Sequence, residues 1–330
     1  MADSDVTPPL CRHLDGLVDD LRKMVPQAIQ EFDVEAIHKA RVTTRRLKAA
    51  LDLLDSALDP DHTQPFARLG RKLRRRLGPL RDIDVMLGHL DEIKPTSPHA
   101  AAAKWLEEKL HRDRDRARDK SMKKVPAGQV LSKLGSWWAM RQDVVDADPE
   151  VEKLLTESLH LQLDAFIEGS DLNAEPKRDP HALRIAGKKL RYTLELAEAQ
   201  GHKLPKMVLR TFKQMQGFLG LWHDYVVLGE HAMCAALDEE LALHDAAMHR
   251  QVLKLIDFAM VKAQRQLDGF SKHWKEKGPE LTQAIREAFP LTQPAPAAAV
   301  IIEPQKDHGP ADSAQPEAPA PASTAPPPVS

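Results

Sequence analysis

The strongest constraint on this chain is that it repeats itself. A slide of 143 residues lays "HKARVTTRRLKAALDLL" (38 to 54) over "HALRIAGKKLRYTLELA" (181 to 197). His38 meets His181, Arg41 meets Arg184, and Leu47 and Leu51 meet Leu190 and Leu194. Arg45, Arg46 and Lys48 meet Lys188, Lys189 and Arg191, so the cations persist where their type changes. A slide of 142 lays "LGPLRDIDVML" (77 to 87) over "LGLWHDYVVLG" (219 to 229), matching Leu77-Gly78 with Leu219-Gly220 and Asp82 with Asp224. Two separate blocks at nearly one offset predict two similar halves related by a pseudo-twofold.

Each half reads as helix. At about 100° per residue, His38, Arg41, Arg45 and Lys48 fall within a stripe of roughly 80°, while Ala40, Leu47, Leu51 and Leu54 gather on the opposite side. No run of alternating β-branched residues occurs and aromatics are only 5%, so no sheet is expected. Pro-containing steps at Asp59-Pro60, Gly78-Pro79, Lys94-Pro95, Val125-Pro126, Asp148-Pro149, Asp179-Pro180, Leu204-Pro205 and Gly278-Pro279 predict breaks, cutting the chain into eight to ten helices. A chain of 330 residues with 42% hydrophobic content can bury a substantial core.

From about residue 291 Pro, Ala and Ser take over, and residues 291–330 are expected to be a disordered tail. Cys11 and Cys234 stand far apart and in no metal-ligand spacing, which predicts neither a disulfide nor a zinc site and suits a reducing compartment. There is no basic segment followed by an apolar run at the N-terminus, and nowhere do about 18 apolar residues follow one another. A cytoplasmic protein without a membrane contact is expected.

Overall charge conceals local clustering: 47 Lys and Arg oppose 49 Asp and Glu, for a net charge of −2. The second basic helix of the first half, "FARLGRKLRRRLGPLRD", has seven cations and no acid from 66 to 81, with Arg68, Arg71, Lys72 and Arg75 at neighbour spacing and Arg74 and Arg76 on other sides. Its counterpart keeps Lys206, Arg210 and Lys213. Across 178 to 213 nine basic residues face only Asp179, Glu195 and Glu198. Four helices thus bring cationic stripes to a two-part structure in which they can face one another across a channel. One-sign charge held between helices calls for a densely anionic ligand, which Arg grips through its planar fork and Lys as a point charge. By contrast, "HRDRDRARDKSMKK" (111 to 124) interleaves Asp with Arg at helical spacing and reads as a self-paired, solvated face.

These blocks resemble the four signature segments of the CHAD family, the conserved histidine α-helical domain, over roughly residues 8 to 288. The resemblance implies an all-α fold of two four-helix bundles around a basic central pore, with a first half at about 8–145 and a second at about 146–288. It further implies non-catalytic binding of inorganic polyphosphate, often at intracellular polyphosphate granules with other granule proteins. Carried over by position, the motif residues are His38, Arg41, Arg45, Arg46, Lys48 and Arg81 in the first half. In the second half they are His181, Arg184, Lys188, Lys189, Arg191 and His223, with Arg68, Lys72, Arg75, Arg210 and Lys213 as further candidate contacts. Where the first half has Arg81-Asp82 the second reads His223-Asp224, which leaves that contact pH-dependent or absent.

Other chemistries fit less well. Asp82 and Asp224 each follow a Leu-Gly step and a cation or histidine, so a helix N-cap or an ion pair orienting Arg81 is expected of them rather than acid catalysis. Tyr192 and Trp222 have Ala49 and Leu80 at the matching positions, which favours packing over base stacking. Glu35-x-x-His38 and Glu157-x-x-His160 have a di-metal spacing, but Arg178 matches Glu35 and the cations repel a metal. Neither metal, cofactor nor enzymatic activity is expected. The rivals are a nucleic-acid-backbone binder, disfavoured by a pI near 6.7 and the lack of a recognised nucleic-acid motif, and an adaptor whose basic groove holds an acidic protein partner.

Overall fold

A computed structural model describes residues 7–122, 126–172, 174 and 178–290, all within one compact unit, 1–291. The expected tail lies outside the described residues. Among those described there are eleven α-helices and no strand. In order they are α1 (Pro9–Pro26), α2 (Val34–Leu53), α3 (Pro60–Asp91), α4 (Ala100–Met122), α5 (Ala127–Leu134) and α6 (Trp137–Asp146). There follow α7 (Asp148–Ser170), α8 (Pro180–Gln200), α9 (Lys206–Ala236), α10 (Glu239–His244) and α11 (Ala246–Ala288), with a π-helical turn, Gln27–Glu31, between α1 and α2.

Local chemistry sets the ends of the basic helices. Asp33 caps α2 by accepting from the Ala36 amide at 2.7 Å, and Asp179 caps α8 through the His181 amide at 2.8 Å. Gly201, at φ 104°, closes α8 in the left-handed conformation that glycine adopts without strain. Two of the expected breaks are absent: α3 runs through Gly78-Pro79 and α11 through Gly278-Pro279. A glycine before proline has no Cβ to clash with the ring, which removes part of the steric bias against helix at that step. In α3 the buried series Leu73, Leu77, Leu80, Ile83 and Met86 then holds the helix together across the lost backbone bond.

Two hydrophobic cores result, and each draws on both parts of the chain. The larger gathers α1, α2, α5, α6, α7 and α8 with the N-terminal parts of α3 and α9 and the C-terminal part of α11. The smaller gathers the C-terminal part of α3, α4, the C-terminal part of α9 and the N-terminal part of α11, with Leu241 of the short α10. The long helices α3, α9 and α11 pass from one core into the other, so the cores do not divide at residue 145. The contacts run in parallel in the two halves, with α1 on α2, α2 on α3 and α3 on α4, then α7 on α8, α8 on α9 and α9 on α11. Across the halves α2 meets α8 and α3 meets α9, which puts all four repeated motifs at one junction.

The interleaved charges of α4 are only partly self-paired. Arg116 bonds Asp113 at 3.0 Å, as the spacing predicts, but Arg114 crosses to Asp84 of α3 at 2.6 Å and to the Phe32 carbonyl at 3.0 Å. Lys123 and Lys124 lie outside the described residues. Cys11 is buried and Cys234 exposed, and neither is in a disulfide. Among the described residues no helix is long and apolar enough to cross a membrane.

Candidate functional site

Helix α2 buries Ala36, Ile37, Ala40, Thr43, Thr44, Leu47 and Ala50 and packs against α1, α3 and α8, sending Arg41 to α3 and Arg46 to α8. Arg41 is 12% exposed; its Nη1 donates to the Arg74 carbonyl at 2.7 Å and its Nη2 stands 3.8 Å from Asp82. Gly78 makes room for this guanidinium, because a Cβ there would lie 3.0 Å from Arg41 Nη1. Arg74 reciprocates by donating to the Thr44 carbonyl at 2.8 Å. The second half repeats that tie in neutral form: Gln216, at the position of Arg74, donates to the carbonyl of Gly187, at the position of Thr44.

Across the junction the cations act on one another. Burial lowers the affinity of Arg184 for its proton, with Asp224 working against the shift and Arg45 of α2 adding to it. The Arg184 Nε is buried with no hydrogen-bond partner. Lys188 is pushed from 10.5 down to about 7, first by burial and then by the charges of Arg184, Arg45 and Arg41, with Asp224 in opposition. Burial and the nearby Arg45 also lower Arg41. This is a cluster of half-buried cations shared by α2 and α8, with Asp82 and Asp224 as the acids acting on it.

The histidines lie around this cluster. His38, half-buried on α2, is held below its ordinary value by burial and then by Arg81. His181 and His223 face each other with ring centroids 5.6 Å apart. Burial, then Arg184, pushes His223 down to about 4, so in the free protein it is neutral throughout the physiological range. Asp82 and Asp224 sit inside α3 and α9, so neither is an N-cap. Asp82 approaches Arg41 rather than orienting Arg81, and Asp224 stands 3.8 Å from His89, whose pKa it raises.

The other sequence candidates separate into groups. Arg191 and Lys213 line a cavity of about 270 Å³ with Arg184, Lys188 and Tyr192, and so border the cluster. Arg46 and Arg191 both bind Glu195, at 2.7 and 2.8 Å, which ties α2 to α8. Lys48 pairs with Asp52 and faces Arg71 and Arg74 across a cavity between α2 and α3. Lys189 and Arg210 are exposed and stand outside the cluster. Arg68, Lys72 and Arg75 lie on another face of α3, in a groove with α5. Trp222 packs against the smaller core.

Sequence spacing missed Arg74, the partner of Arg41 on α3. It also missed that Glu195, one of few acids nearby, neutralises two candidate cations at once. The Arg74–Gln216 correspondence at the second slide was the available signal. The two metal spacings are otherwise engaged: Glu35 pairs with Lys39 at 3.3 Å, and the His160 ring lies 2.6 Å from the Phe289 carbonyl. Among the described residues no group of three His, Cys, Asp or Glu side chains converges.

Comparison with known proteins agrees on the fold. Two solved structures are similar over most of their length. The CHAD domain from the plant Ricinus communis is 20% identical, with a TM-score of 0.52, covering 88% of this chain and 94% of that one. PptA from Streptomyces chartreusis is 18% identical, with a TM-score of 0.51, covering 79% of this chain and 99% of its own. No curated protein matches the chain. The CHAD domain family matches residues 12–233, which include all four repeated motifs, and the chain belongs to that family.

Proposed function

We propose that this protein binds inorganic polyphosphate non-catalytically, through the cationic cluster between α2 and α8 and the residues of α3 and α9 around it. The carrying observation is the charge at Arg184 and Lys188, which Asp224 offsets only in part: one has a buried Nε without a hydrogen-bond partner, and the other holds its proton only up to a pH of about 7. Burying cations against one another costs stability unless an anion joins them. A linear phosphate chain supplies closely spaced oxygens to Arg41, Arg45, Arg81, Arg184 and Lys188 together, with His38, His181 and His223 as ring N–H donors at the margin. Polyphosphate binding is a known role of the CHAD family, which is generally a binding domain. The cellular form of this reading is a cytoplasmic protein associated with polyphosphate granules.

The test is a double charge reversal, Arg45→Glu with Lys188→Glu, one on each side of the junction. Arg41 is left intact because it holds α2 to α3. Labelled long-chain polyphosphate should lose at least about 100-fold in affinity, since two attractive contacts become repulsive, while circular dichroism shows the helices intact. A folded double variant that binds as the wild type does would show that the cluster is not the site.

A further inference from the structure

The outer face of α3 carries a second cationic surface. Arg68, Lys72 and Arg75 line, with Lys133 of α5, a groove of about 930 Å³, and all four are exposed. Arg68 bonds the neutral amide oxygen of Gln64 at 2.7 Å, and no acid lines the groove among the described residues. The floor residues Leu69, Leu73 and Val130 are 7%, 3% and 4% exposed. An occupant therefore meets four exposed cations together with apolar surface from their stems and from Pro65 and Pro126, and charge of one sign with no acid to balance it favours an anionic chain over a neutral one.

The fold does not require this charge. The slide of 142 residues that aligns the motifs places Gln214, Gly217, Phe218 and Leu221 of α9 at the positions of Lys72, Arg75, Arg76 and Pro79. Those four line the corresponding hollow beside α11, where the remaining residues are Gln266 and His273. Of the three exposed groove cations of α3, Arg68 alone keeps a cationic counterpart, Arg210, while Lys72 and Arg75 meet the uncharged Gln214 and Gly217, so most of this charge is peculiar to the first half.

A path of positive charge connects the groove with the central cluster. Arg74 feels the charge of Arg45 and of Arg71. Arg71 and Arg74 line the cavity between α2 and α3. Lys72 and Arg75 are their next neighbours in sequence, about 100° further round α3. A flexible chain leaving the cluster can follow cations around one helix into the groove.

We propose that this groove is a second subsite for linear polyphosphate, engaged only by chains long enough to pass from the central cluster around α3. The proposal rests on the polyphosphate reading above. It makes the protein selective for chain length and its grip asymmetric, stronger on the α3 side than on the α9 side.

Calorimetric titration with sodium tripolyphosphate and with long-chain inorganic polyphosphate tests it. In the triple variant Lys72→Glu, Arg75→Glu and Lys133→Glu, long-chain affinity should fall at least about tenfold. The slope of log K against log salt should shrink by about 2, from three phosphate contacts at about 0.7 each. Tripolyphosphate binding should not change. The milder triple Gln variant should shift long-chain binding in the same direction by less. Unchanged long-chain affinity in both variants would overturn the subsite, as would an equal loss for both probes, which would place the effect at the cluster. A wild-type protein that binds neither probe would overturn the polyphosphate reading itself.

Discussion

Lys188 shows how one residue reports on the site. Its proton is held only up to about pH 7 in the folded protein against 10.5 for an ordinary lysine, through burial and the charges of Arg184 and Arg45. Between those values the unfolded chain binds more protons than the folded one, so stability rises as pH rises through that window. Below it the folded protein carries the whole cost of the buried charge. Lys188→Met should therefore stabilise the free protein by about 1–4 kcal/mol, most at pH 6 and progressively less toward pH 10.5, as measured by urea unfolding at several pH values. Ligand binding reverses the sign. A phosphate chain favours the protonated amine, so binding takes up a proton above about pH 7 and affinity declines there by up to tenfold per pH unit, a dependence that Lys188→Met should remove. The α2 sequence reveals Arg41 and Arg45 as members of one stripe, yet their roles differ. Arg41 is a clamp on the α3 backbone, while Arg45 acts across the junction on Arg184 and Lys188.

Among the helices, α3 is where reading by periodicity and reading by punctuation part. The apolar series Leu73, Leu77, Leu80, Ile83 and Met86 is legible as one helix, whereas Gly78-Pro79 reads as a stop. The packed face prevails, because burial over several turns outweighs one lost hydrogen bond. The consequence is functional placement: a continuous α3 carries Arg74, Arg81 and Asp82 along one rigid rod beside α2. Pro79 is exposed and its ring serves no contact with the cationic cluster that the geometry identifies. Pro79→Ala should restore the missing backbone bond and raise stability by about 1–3 kcal/mol, with polyphosphate affinity unchanged, readable from the denaturation midpoint and a binding isotherm.

In the whole molecule, the repeat made the helical class, the four motif helices and their pairing across the halves legible from sequence. Matched His-x-x-Arg segments had to share an environment. The extent of each core was not legible, since it depends on α3, α9 and α11 outlasting one layer of packing and entering the next. Nor was the fate of individual cations. Arg46, Arg191 and Lys48 have helical spacings no different from their neighbours, but Glu195 and Asp52 lie within reach of them in the fold. Charge counting finds the basic helices, while only tertiary geometry shows which cations are left uncompensated. The central claim is that what remains uncompensated is matched to a thin phosphate chain. Fluorescence polarisation of labelled long-chain polyphosphate with the full chain at about 150 mM salt, where weak surface contacts are screened, tests it directly when duplex DNA, RNA and an acidic polypeptide are added as competitors. Retention of the polyphosphate at equal concentrations of competing charge is the predicted result. Displacement by any of the three to the same extent as by unlabelled polyphosphate would contradict it and make the cluster a general anion surface.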